Sequence, residues 1–138
     1  MLGNRETPRN TESGAAEAPS GGARDLAPLD LAHLSRQCFG DKSLEIELLL
    51  QFRIQSLSIA TQLEDGAARS PGSTADLAHR LRGSALAIGA GKVARAAATV
   101  EERDRAGGHS RSAEMARAIS DLRDAVTEAV VEIDRLRA

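Results

Sequence analysis

One cysteine and three histidines are the natural candidates for chemistry in this 138-residue chain. His33, His79 and His109 stand far apart, without the close spacing that lets neighbouring side chains share a metal ion. The chain contains no Gly-rich Walker loop, no glycine-rich kinase loop and no nucleophile elbow that would bring a serine to a histidine. Nothing near Cys38 would activate a thiolate. What remains is the imidazole of His79, set among Arg80, Arg82 and Gly83. A free imidazole has a pKa of about 6.5, so much of it is an available nucleophile at neutral pH. It can attack an electrophile without a strong base. It needs an exposed ring, a positive charge and open space.

The stretch around His79 supplies these. Residues 77–90 read Leu-Ala-His-Arg-Leu-Arg-Gly-Ser-Ala-Leu-Ala-Ile-Gly-Ala, one helix ending near Gly89. Ser73 and Asp76 have the spacing of a capping box that opens it, with Asp in place of the usual Glu. At about 100° per residue, Leu77, Leu81, Ser84, Ala85 and Ile88 fall in one arc, which should face a core. His79 projects from the opposite side. Gly83 follows one turn later on that side. Glycine inside a helix costs about 1 kcal/mol relative to alanine, so its place beside an exposed ring points to clearance for an approaching group. Ala75, Asp76 and Leu86 share the His79 face, and Leu86 is apolar where water is expected, as suits a docking surface. Taken singly, a surface histidine, a helix glycine and an exposed leucine are ordinary; their combination is specific.

The run Ala78-His79-Arg80-Leu81-Arg82-Gly83-Ser84-Ala85, followed by Ile88-Gly89-Ala90, resembles the signature of histidine phosphotransfer (HPt) domains. That pattern is histidine, any residue, leucine, lysine or arginine, glycine, serine, then a short apolar run to Gly-Ala. The likeness in helix layout extends over residues 29–138. It implies that His79 accepts and donates a phosphoryl group, that Arg82 stabilises phosphoryl charge, and that Gly83 leaves room. The family usually has lysine at the position of Arg82; arginine keeps the charge but offers a planar fork. Phosphoryl transfer mostly needs alignment and charge stabilisation, so a partner can supply the Mg²⁺ and the acceptor carboxylate. The implied partners are a response-regulator receiver domain, a hybrid histidine kinase, or both, and the chain is a phosphoryl carrier with no ATP site or cofactor of its own. The docking surface would be Ala75, Asp76 and Leu86. Two alternatives stand beside this phosphorelay intermediate. One is a non-catalytic helical bundle that binds a signalling partner without carrying phosphate. The other is a kinase dimerisation domain, but those usually carry an acidic residue just after the histidine, where Arg80 stands, and no ATP-binding domain follows.

The elements that must position His79 are helices. Residues 1–25 carry almost nothing large and apolar after Leu2 and are expected to be a disordered tail. Order is expected over 26–138, as one domain. Leu29, Leu31 and Leu34 mark a short helix near 30–37, and Asp41 is a plausible N-cap for a long helix over 42–63. That helix carries one apolar stripe of Leu48, Phe52, Ser56, Ile59 and Leu63, and a second of Ile46, Leu50 and Leu57. The second should lie under the short helix or in a homodimer contact. After the His79 helix, residues 90–105 bury Val93, Ala97 and Val100, with Ala94 and Ala96 beside them. The last helix, over 111–137, carries Met115, Ile119, Leu122, Val126, Ala129, Ile133 and Leu136 at alternating spacings of four and three. Arg117, Asp121, Arg123, Asp124, Glu128 and Arg135 are its solvated charges. The fold class is all-α: an antiparallel up-down-up-down four-helix bundle with a short extra N-terminal helix.

Composition agrees. Aromatic content is 1% (Phe39 and Phe52), so the core must be aliphatic, which favours close-packed helices over a sheet. A net charge of −2 and the lack of stacking rings argue against nucleic acid. No run of about 20 apolar residues could span a membrane, and the N-terminus lacks the apolar core of a signal peptide. A single cysteine fits a reducing compartment. The expected location is the cytoplasm and the expected state a monomer.

Overall fold

The computed structural model describes residues 27–66, 73–107 and 112–137. The expected tail over 1–25, and His109, lie outside them. Within them are five helices and no strand: α1 (Leu31–Gln37), α2 (Lys42–Glu64), α3 (Ser73–Ile88), α4 (Gly91–Arg105) and α5 (Ala113–Arg137). The described residues are all-α, the class that composition and periodicity favour.

Each long helix packs on its neighbour in sequence, and α5 returns to α2, so the four enclose one core. Side-chain bonds record how they run. Arg53 and Glu64 of α2 pair with Asp134 and Arg123 of α5, numbers rising on one helix as they fall on the other. Lys92 and Arg103 of α4 likewise pair with Glu128 and Glu114 of α5. The core is aliphatic, with Leu34, Leu81, Leu122, Ile133, Val93 and Val126 among its most buried side chains and Phe52 its one aromatic.

Local chemistry sets the helix ends. The Asp30 carboxylate accepts from the His33 N–H at 3.1 Å, and the Asp41 carboxylate accepts from the Leu44 N–H at 3.1 Å, which makes Asp41 the cap expected of it. Ser73 is already helical and no capping-box bond forms at α3; Asp76 instead turns toward α4. At the other end of α3, Gly89 takes φ +87° and the Ala90 N–H reaches back to the Ala85 carbonyl at 2.8 Å, a Schellman stop. Glycine is required here twice over. The backbone is left-handed, and a Cβ would lie 2.7 Å from the Asp30 carbonyl oxygen. That approach lets the Asp30 N–H donate to the Gly89 carbonyl at 2.8 Å and ties α1 to the end of α3.

Several expected faces are turned. On α2 the buried stripe runs through Leu49, Phe52, Ser56, Ile59, Ala60 and Leu63, with Leu49 rather than Leu48 at its start. The second stripe is not under α1. Ile46 and Leu57 are exposed and Leu50 is half-buried, because α1 buries Leu34 and Cys38 against the core between α2 and α3 instead. On α5 the seam is buried from Met115 to Ile133, but Leu136 is exposed. Lys92, near the start of α4, bonds Glu128, so the last turns of α5 run on past α4 and lose that cover. The six charged residues expected to face water on α5 do so.

Candidate functional site

The buried face of α3 comprises Thr74, Ala75, Ala78, Leu81, Ala85 and Ile88, while Leu77 and Ser84 are only half-buried. Its centre is rotated by about 50° from the arc expected of the apolar residues, at about 100° per residue. The cause is α4. Its small residues Ala94 and Ala97 let it pack closely, and it covers the alanine side of α3 rather than the leucine side. His79 is thereby moved from the middle of a free face to the edge beside α4, with 60% of its side chain still exposed.

This edge brings α3 and α4 side chains together. Nδ1 of His79 lies 3.0 Å from Oε2 of Glu101, a carboxylate whose side chain is only 13% exposed. The same Oε2 accepts from Nε of Arg105 at 3.2 Å, and Nε of Arg82 lies 3.4 Å from Oε1. Arg105 also reaches Oδ1 of Asp76 at 3.7 Å. One turn further along α4, the Asp104 carboxylate accepts from the Ala75 N–H at 3.0 Å, satisfying a donor in the first turn of α3. A shallow groove between Arg82, Ala98, Glu101 and Arg105 opens beside this cluster.

The charges decide where the histidine proton sits. Burial is the largest influence on Glu101 and acts to raise its pKa. The bonds from Arg105 and His79, with the charges of His79 and Arg82, outweigh it and hold the carboxyl below the usual range. An ionised carboxylate can only accept, so the proton of the 3.0 Å bond belongs to Nδ1, and in the neutral ring the lone pair is on Nε2. Nη2 of Arg82 also lies 3.2 Å from Nδ1. Both atoms are donors in that tautomer, so the contact is proximity rather than a bond, and Glu101 holds the guanidinium. No hydrogen bond to Nε2 forms among the described residues.

The expected site residues separate accordingly. His79, Arg82 and Gly83 come together. A Cβ on Gly83 would meet nothing within 4 Å, so this glycine borders open space. Asp76 is exposed, and Leu86 is 56% exposed, a lone large apolar side chain on this face. Ala75 does not belong to the surface. It is fully buried, because the same rotation that draws His79 to α4 turns Ala75 beneath it. His33 lies half-buried in α1, outside the cluster. Glu101 and Arg105 are not among the residues that the motif around His79 singles out. For Glu101 a signal existed: it continues the buried Val93–Ala97 row by one helical turn, a carboxylate where an apolar residue would extend the stripe.

No helix among the described residues is long and apolar enough to cross a membrane. No curated protein matches the chain. The family model for the Hpt domain matches residues 47–132, a stretch that runs from α2 into α5 and takes in His79, Arg82, Gly83 and Glu101. That match covers more than half of the chain, and the chain belongs to the Hpt domain family.

Proposed function

We propose that this protein is a phosphorelay intermediate in which Nε2 of His79 exchanges a phosphoryl group with an aspartate of a response-regulator receiver domain. Membership of the family carries the general role, histidine phosphotransfer within a phosphorelay. The observation that supports the finer reading is the 3.0 Å bond from Nδ1 to Glu101 on a ring that stays exposed. In the forward step the Nε2 lone pair attacks phosphorus in an aspartyl phosphate. The N–P bond forms as the P–O bond to aspartate breaks, and that oxygen leaves with the bonding pair as a carboxylate. The proton stays on Nδ1, so the ring becomes cationic, and the ionised Glu101 faces the new charge. Arg82, one turn from His79, turns its fork to the phosphoryl oxygens. Gly83 leaves the partner loop room to approach, and Leu86 and Asp76 border the docking surface. The receiver is expected to bring the Mg²⁺ that screens the phosphoryl oxygens.

The same reading places the protein in the cytoplasm, as a carrier without an ATP site. It takes the group from a receiver domain or a hybrid histidine kinase. The bundle it assigns is up-down-up-down, which accords with the opposed numbering of the α2–α5 and α4–α5 pairs. The test is incubation with phosphorylated receiver domains, scored for acid-labile, base-stable label. Wild-type protein should be labelled and His79→Gln should not, with helicity unchanged because the ring is at the surface. Label retained in His79→Gln would overturn the assignment.

A further inference from the structure

We propose that Arg105 is a positioning residue for phosphoryl transfer, acting through Glu101, an inference that rests on the phosphorelay reading of His79. Three donors surround the Glu101 carboxylate: His79 at 3.0 Å and Arg105 at 3.2 Å on one oxygen, Arg82 at 3.4 Å on the other. They are not equivalent. Arg82 stands three residues from His79 on the same helix, with Nη2 already 3.2 Å from the ring. When the phosphoryl dianion is formed on Nε2, Arg82 is a cation within reach of it on the same helix, and engaging it draws Arg82 off Glu101. A carboxylate this enclosed is costly to leave with one donor fewer. It would also be repelled by the phosphoryl group, and could swing away from Nδ1 when the cationic ring most needs it.

Arg105 prevents that movement. It lies on α4 one turn beyond Glu101, with Nε on Oε2, and its Nη2 is drawn to Asp76 in the first turn of α3 at 3.7 Å. Its position does not depend on the phosphoryl group. Arg105 thus keeps Glu101 compensated and aimed at Nδ1 both before transfer and after Arg82 has left. No bond in Arg105 is made or broken, and the reaction balances as written above. Arg105→Gln removes the charge and weakens the hold on Glu101, while Arg105→Lys restores a cation on a stem of similar length.

The test uses the full chain with ¹⁵N-labelled histidine. Long-range ¹H–¹⁵N spectra, recorded above the titration range of the ring, read the His79 tautomer in the unphosphorylated protein. Wild type should show Nδ1–H, Arg105→Gln a mixture with Nε2–H, and Arg105→Lys a return toward wild type. In single-turnover transfer from a phosphorylated receiver, Arg105→Gln should lower the rate at saturating receiver by about tenfold, the effect expected when a group that orients a reactive ligand is lost. Half-saturation should stay unchanged, and Arg105→Lys should recover most of the rate. An unaltered tautomer in Arg105→Gln, or a rate loss that follows only its folded fraction, overturns the proposal. If no receiver labels the wild-type protein, the phosphorelay reading fails instead, and the tautomer comparison still decides whether Arg105 orients Glu101.

Discussion

In the proposed transfer, His79 depends on what its neighbours leave open as much as on what they supply. Gly83 is the residue that leaves space. Nothing stands within 4 Å of where its Cβ would be, so alanine enters without clash. Gly83→Ala is therefore expected to leave the bundle as stable or firmer by up to about 1 kcal/mol. Gly83→Leu should fold equally well but obstruct the partner; a wild-type transfer rate in that variant would remove the steric argument. Leu86 acts differently. At 56% exposure it has little to lose in the free protein, but a partner that covers it fully gains about 1–2 kcal/mol from its burial. Leu86→Ala should raise the receiver concentration for half-maximal transfer by about five- to thirtyfold and barely move the melting temperature. A lowered melting point with unchanged affinity would show that the side chain is packed in solution.

Among the elements, α1 is the one whose attachment is most localised. It buries Leu34 and Cys38, and its leading residue Asp30 donates to the Gly89 carbonyl at 2.8 Å. The two backbones can approach because Gly89 has no side chain. Gly40, at φ +77°, is a natural control, since a Cβ there meets nothing within 4 Å. A left-handed conformation alone costs an L-residue about 1–2 kcal/mol, which is what Gly40→Ala should lose in urea denaturation. Gly89→Ala should lose more, because its Cβ would lie 2.7 Å from the Asp30 oxygen and α1 or the end of α3 must shift. Equal losses in the two variants would mean that the clash relaxes freely and that α1 is loosely held.

At the scale of the whole molecule, charge pairs join helices distant in sequence, and two carry a pH signature. The bond from Arg53, opposed by burial and helped by the charges of Arg53 and Arg137, holds the Asp134 carboxyl below its usual range. Glu101 is held low in the same direction once its donors outweigh burial. A carboxyl depressed in the folded state stabilises the protein fully above its unfolded pKa, about 4 for these groups, and that contribution is lost as pH falls through the folded value. The urea midpoint should therefore be level from neutral pH down to about 5 and decline below it. Glu101→Gln should remove part of that acid slope. Asp134 is nearly half exposed, so Asp134→Asn should remove less. An acid slope unchanged in Glu101→Gln would show that the carboxylate is not held by its donors in solution.

How much of this was legible beforehand follows from the range of each interaction. A helix declares itself through neighbours three and four residues apart, so the five helices, the Asp41 cap, the Gly89 stop and the α5 seam as far as Ile133 could be read along the chain. The motif around His79 is equally local, and His79, Arg82 and Gly83 lie within one helical turn and a residue more. What the sequence did not determine is the rotation of one helix against another. A wheel ranks faces by apolarity, and on that scale Leu77 outweighs Ala78; packing chose the alanines, because small side chains let α4 approach closely. That choice buried Ala75, moved His79 to an edge, and set against its ring a carboxylate 22 residues away. Glu101 and Arg105 acquire their place in the site only through that contact, because an acidic and a basic residue on an amphipathic helix look like any solvated pair until a neighbouring helix is laid beside them.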